Sequence, residues 1–260
     1  MTAVVVLFAV VLGLAIGSFL NVVIWRVPRG ESVVSPPSAC PRCGNLIRNR
    51  DNVPVLGWLL LKGRCRDCGE PISRRYPLIE ALTGLLFGVM AWRIGLHAVL
   101  PVYLYLVAIG VALAMIDIDV KRLPDAITLP SYAVVGVLLT VAAGVDDDWS
   151  ALLRAGLAAA ALFGFYFALW FVYPSGMGFG DVKLSGVLGA CLGWLSWSAL
   201  AVGAFTGFLY GGVFGIGVIA LSKGGRKTKV PFGPFMLAGA LTGILVGHQV
   251  VSAYVDATVG

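Results

Sequence analysis

Two aspartates stand where long apolar runs give way to short polar turns. Asp117 lies in Ala114-Met115-Ile116-Asp117-Ile118-Asp119, and Asp181 in Gly178-Phe179-Gly180-Asp181-Val182-Lys183. A carboxylate at the edge of hydrocarbon is costly and is usually kept for function. Two of them at one membrane face can share a proton. The ionised partner then takes a proton from water, while the protonated one hydrogen-bonds a carbonyl, which is how paired aspartates hydrolyse amides. Such groups titrate as a pair, not as individuals. Gly178 and Gly180 leave the backbone ahead of Asp181 free to approach a partner or an extended substrate. An ion-binding pair in a transporter has the same spacing, and from spacing alone the two readings stand level.

A second constellation is made of cysteines. Cys40-Pro41-Arg42-Cys43 and Cys65-Arg66-Asp67-Cys68 are C-x-x-C pairs separated by 21 residues, just beyond the usual zinc-ribbon range. Each is followed by glycine (Gly44, Gly69), which permits the tight turn of a metal knuckle. Four thiolates suit a closed tetrahedral Zn2+ site. Disulfides are the competing reading, but they rarely persist in a reducing cytoplasm. A redox C-x-x-C lacks its expected βαβ setting. Cys191, alone in an apolar run, reads as a packing residue.

The elements that must position these residues are membrane helices. The chain is 59% hydrophobic and only 12% charged, with a mean hydropathy of +0.92, against about 25% charged in soluble domains. Eight apolar runs are long enough to be read as spans: Ala3–Trp25, Pro77–Ile94, Val99–Ile116, Ala126–Val145, Ala151–Tyr173, Val182–Trp194, Ala199–Leu221 and Phe232–Tyr254. The sixth is short. The first is too long for a signal-peptide core, has no basic stretch before it, and reads as a retained span.

Basic residues set the expected orientation. Of nineteen Lys and Arg, ten lie from Arg26 to Arg75. Lys223, Arg226, Lys227 and Lys229 lie between spans seven and eight, Lys121 and Arg122 follow span three, and Lys183 opens span six. With eight spans, all of these fall on one side, leaving Arg93 and Arg154 on the other. The positive-inside rule makes the basic side cytoplasmic and turns both termini outward. The net charge of +6 is thus a topology signal, and nucleic acid is not expected as a partner. The chain leaves the basic side after Asp117 and returns to it before Asp181, so both carboxylates are expected at the cytoplasmic boundary.

The fold class expected is an all-α polytopic membrane protein of about eight helices. Residues 1–25 form the first span, 26–76 a small cytoplasmic domain stapled by zinc for want of apolar mass, and 77–260 the membrane-embedded remainder. Gly13 and Gly17 in span one, and Gly203, Gly207, Gly211 and Gly215 in span seven, read as close helix packing. Asp125, after Pro124, reads as a helix cap. Asp119 is expected to face the headgroups beside Lys121 and Arg122. His97 and His248 sit near outward span ends, and no histidine-based triad is evident.

Several runs, in order, carry a family resemblance. They are Gly17-Ser18-Phe19-Leu20-Asn21-Val22-Val23-Ile24, Cys40-Pro41-Arg42-Cys43-Gly44, Asn52-Val53-Pro54, Gly57-Trp58-Leu59, Gly63-Arg64-Cys65 and Ile72-Ser73-Arg74-Arg75-Tyr76-Pro77-Leu78-Ile79-Glu80. The second half adds Ile116-Asp117, Leu123-Pro124-Asp125, Gly178-Phe179-Gly180-Asp181-Val182-Lys183 and Val230-Pro231-Phe232-Gly233-Pro234-Phe235. Over nearly its whole length the chain resembles the bacterial type IV prepilin peptidases, bifunctional leader peptidases and N-methyltransferases.

The resemblance implies that Asp117 and Asp181 are the catalytic pair, the latter within a G-x-G-D motif supported by Gly178, Gly180 and Lys183. It implies prepilin or pseudopilin substrates, with a basic leader, a glycine before the cut and a phenylalanine-led apolar helix after it. It further implies that the new N-terminus is methylated from S-adenosylmethionine by the domain over Arg26–Glu80, with Gly63 and Arg64 in its sensitive region. The family often has Lys where Arg64 stands. No glycine-rich nucleotide loop is present, so the S-adenosylmethionine site rests on the resemblance. The expected location is the inner membrane. The rival reading is a zinc-binding transporter or secretion-assembly factor without peptidase activity.

Overall fold

A computed structural model describes residues 2–221 and 231–259. Lys223, Arg226, Lys227, Lys229 and Val230 lie outside the described residues. Nine α-helices occur among those described: α1 (Thr2–Arg26), α2 (Leu56–Leu60), α3 (Arg75–Ile94), α4 (Leu100–Val120), α5 (Asp125–Asp146), α6 (Trp149–Val172), α7 (Phe179–Leu195), α8 (Trp197–Leu221) and α9 (Gly233–Val259). Seven of them, all but α2 and α7, are long and apolar enough to cross a membrane. In hydrocarbon a backbone must satisfy its own polar groups, which leaves helices as the form these runs can take.

The run expected as the sixth span is α7, whose 17 residues reach about 25 Å. It falls at the short end of what spans about 30 Å of hydrocarbon. Twelve of its residues are buried, Cys191 among them, so α7 is a helix enclosed by protein. Its C-terminal carbonyls are held by Arg154, whose guanidinium donates to Gly193 O at 2.7 Å and Trp194 O at 2.6 Å. A cation there also complements the helix dipole.

The chain divides into two compact units, Met1–Ala112 and Leu113–Gly260. In the first, α1 packs on α3. A Cβ on Gly13 would meet Gly84 Cα at 2.8 Å, and one on Gly17 would meet Glu80 Cα at 2.7 Å. Small residues at four-residue spacing therefore let the two backbones touch. Asn21 Nδ2 adds a bond to Tyr76 O at 3.3 Å. In the second unit α6 packs on α7 and α8 on α9. Gly203 and Gly207 face Gly239, and Gly211 faces Phe232. Gly215, expected to continue this stripe, meets no neighbour among the described residues; Gly211 is already level with Phe232, just before α9 begins.

Between α1 and α3 the polar segment folds as two like knuckles. Gly44 N–H donates to Cys40 O at 2.9 Å and Gly69 N–H to Cys65 O at 3.0 Å. Single bridges join Ala39 with Leu46 and Arg64 with Pro71. Arg66 forks onto Asp51 at 2.8 and 2.6 Å, and Arg48 pairs with Asp67 at 3.0 Å.

Candidate active site and metal centre

Asp117 occupies the last turn of α4 and Asp181 the first turn of α7. Both belong to the second unit, and they lie within electrostatic reach of one another. Both are buried, at 5% and 7% exposure, which matters because a buried carboxylate must be hydrogen-bonded. Each finds a backbone donor at a helix start. Asp181 sits third in α7 and its Oδ2 accepts from Gly178 N–H at 3.1 Å, so it caps its own helix. Asp117 Oδ2 accepts from Gly233 N–H, the first residue of α9, at 3.0 Å. Two positive helix ends are thus turned on the two carboxylates.

Glycines make these approaches possible. A Cβ on Gly233 would stand 2.9 Å from Asp117 Oδ2, and one on Gly180 would stand 2.9 Å from Leu123 Cβ. Leu123 is buried in the turn between α4 and α5. Gly233→Ala is therefore expected to push Asp117 off its donor and lower activity at this site by on the order of 10^2-fold, as small misplacements do. A thermal-unfolding curve close to that of the parent protein would separate this effect from misfolding.

Lys183 bonds both oxygens of Asp125, at 2.7 and 2.8 Å. This corrects the sequence-based role of Asp125. Pro124 is the residue before α5, Asp125 is the first helical residue, and no side chain caps that end. A lysine 58 positions away outcompetes the local amides for its carboxylate. The pair, with Tyr132 Oη donating to Lys183 O, fixes the start of α7 against α5. Asp119 is exposed, as expected. His97 and His248 are exposed as well.

Two participants escape the sequence reading. Tyr166 of α6 is buried and within electrostatic reach of Asp181; its ring meets those of Phe208 and Phe232, at centroid separations of 5.3 and 6.4 Å. Gly233 is the other. Its signal was a glycine between Phe232 and Pro234 at the opening of an apolar run, a place where backbone N–H groups are exposed for an acceptor.

The cysteines converge within the first unit. The Sγ atoms of Cys40, Cys43, Cys65 and Cys68 all lie within 4.8 Å of one another, with Cys40 and Cys68 at 3.8 Å. A tetrahedron with Zn–S bonds of about 2.3 Å has edges of about 3.8 Å, so the cluster fits the ion. Backbone N–H groups of Cys43 and then Arg42 hold the Cys40 thiol down to about 7, favouring the thiolate a metal needs. Gly63 and Arg64 immediately precede Cys65. Gly63 has φ +68° and its Cβ position is filled by the Trp58 ring at 2.6 Å. The Trp58 Nε1 donates to Ile72 O at 3.0 Å.

Residues 11–94 match the bacterial peptidase A24 N-terminal domain, and residues 104–221 match the type IV leader peptidase family. The prepilin leader peptidase/N-methyltransferase of Stutzerimonas stutzeri is 33% identical, over 96% of this chain and 94% of that protein. The protein of that name from Aeromonas salmonicida is 36% identical, over 94% and 91%. The one from Neisseria gonorrhoeae is 40% identical, over 87% and 85%. No solved structure matches.

Proposed function

The chain belongs to the type IV leader peptidase family, and on that premise we propose that it cleaves the leader from prepilin-like proteins with Asp117 and Asp181 as the catalytic pair. It is a membrane enzyme, a leader peptidase that also methylates the N-terminus it frees. The observation that carries the assignment is the juxtaposition of two buried carboxylates, each on a helix-start N–H, in one compact unit.

The pair shares one proton between its two groups, as paired carboxylates in aspartic peptidases do. The ionised carboxylate takes a proton from water as its oxygen bonds to the scissile carbonyl carbon. The protonated carboxyl steadies the developing oxyanion. The C–N bond then breaks, the amine departs with a proton, and the leader leaves as a carboxylic acid. Gly178 and Gly180 keep the chain before Asp181 low enough for an extended substrate to lie beside it. Lys183, through Asp125, holds that turn in place.

Residues 26–76 form the methyl-transfer domain and residues 77–260 the peptidase domain, and Cys40, Cys43, Cys65 and Cys68 hold a structural zinc ion. S-adenosylmethionine supplies the methyl group, and Gly63 and Arg64 belong to the segment that serves its transfer. The substrate's basic leader stays in the cytoplasm while its apolar helix remains in the bilayer. Both aspartates stand at that inner boundary. A reporter active only outside the cytoplasm, fused after Gly260, is expected to be active, as the charge distribution requires; activity of a cytoplasm-only reporter there would reverse the orientation.

Hydrolysis needs no ion gradient, which sets the enzyme apart from a transporter with the same paired carboxylates. Purified protein in detergent, with no membrane potential, is expected to cleave a prepilin to completion. Dependence of cleavage on an imposed gradient would favour the transporter.

A further inference from the structure

The short helix α2 shows a face that the zinc-binding role leaves unused. Leu56, Leu59 and Leu60 are 57%, 55% and 79% exposed. Their i, i+3, i+4 spacing puts them on one side of the helix. The other side is held by protein. Gly57 is buried, and the Trp58 ring lies on Gly63.

The position of α2 along the membrane normal follows from Glu80. This buried residue of α3 accepts from Val55 N–H at 2.7 Å through Oε2. Val55 is the residue before α2, at φ 62° and ψ −51°, and Leu56 N–H closes a three-residue turn onto Pro54 O at 2.6 Å. A β-branched residue resists that conformation, so the carboxylate holds it there. Glu80 lies five residues inside α3, which begins at Arg75, about 7.5 Å along the helix axis. The 20 residues of α3 amount to about 30 Å, the thickness of the hydrocarbon itself. A contact that deep draws the start of α2 to the level of the lipid headgroups. From that level inward α3, itself apolar enough to cross a membrane, exposes Leu78, Leu82 and Leu85 on one face. Lys62 and Arg64, both exposed, follow α2 and complement anionic headgroups.

We propose that α2 is an interfacial helix whose Leu56, Leu59 and Leu60 insert into the leaflet that α1 and α3 cross, with lipid as the occupant of this face. Burial of the three leucines in the acyl boundary contributes in proportion to the apolar area they take from water. It keeps the knuckles beside the membrane.

The test places the photo-crosslinking residue p-benzoylphenylalanine at Leu59 or Leu60 of the full chain. The protein is reconstituted in nanodiscs of phosphatidylethanolamine and phosphatidylglycerol, with a prepilin present. The expected product is a lipid adduct by intact-mass analysis at both positions, several-fold above the same probe at Arg42 on the first knuckle. Glu80→Ala should reduce the adduct, while Glu80→Gln, which still accepts the Val55 N–H, should keep it. An adduct with the prepilin or with a second copy of the chain, or lipid labelling no greater than at Arg42, would overturn the proposal. None of these outcomes depends on whether the aspartates are catalytic.

Discussion

Replacing Cys40 and Cys43 together by serine is expected to abolish methyl transfer to a pre-cut substrate while leaving leader cleavage measurable. The knuckle segment has few apolar side chains, and its exposed Arg48–Asp67 pair is worth about 1 kcal/mol or less. Structural zinc contributes far more, about 10–16 kcal/mol in small zinc peptides, so its loss removes the one contribution that ties the two knuckles together through all four cysteines. The aspartates lie in the other compact unit, and none of the four cysteines belongs to it. Wild-type protein should carry one zinc per chain, and the double variant none. Equal loss of both activities in a variant that still inserts at normal levels would show that the knuckles also serve cleavage.

Asp117→Asn and Asp181→Asn are each expected to lower cleavage by on the order of 10^3-fold or more, the scale of a lost general base. An amide is close in size to a carboxylate and still accepts the Gly233 or Gly178 N–H. The helix starts should therefore stay in place, and the loss reports chemistry. It follows for either residue, since one group must take a proton and the other must supply one. Methylation of a pre-cut substrate should survive both changes.

The membrane helices were legible because an apolar run long enough to span is a local property of sequence. Seven of the eight expected runs became such helices. The eighth, α7, was harder to bound since protein encloses it and its length is not set by lipid. The cysteine cluster was legible for the same local reason, with two residues between partners and a glycine after each pair. What escaped was long-range. The Gly233 N–H lies 116 positions from Asp117, and Lys183 lies 58 from Asp125, separations that no periodicity records. The local rule for Asp125 suggested a cap, and a distant lysine won. Gly215 failed differently: its spacing fits the stripe, but packing depends on where the partner helix begins, and α9 starts level with Gly211.

The central assignment is most directly tested by one side-by-side assay. Wild-type protein and the variants Asp117→Asn, Asp181→Asn and Asp119→Asn are purified in detergent, and cleavage of a single prepilin is timed with methylation of a pre-cut substrate as the folding control. The expected result is no detectable cleavage by the first two variants, substantial cleavage by Asp119→Asn, whose side chain is exposed, and methylation by all. Near wild-type cleavage by Asp117→Asn or Asp181→Asn would contradict the pairing and move the search to Asp119 and Asp125.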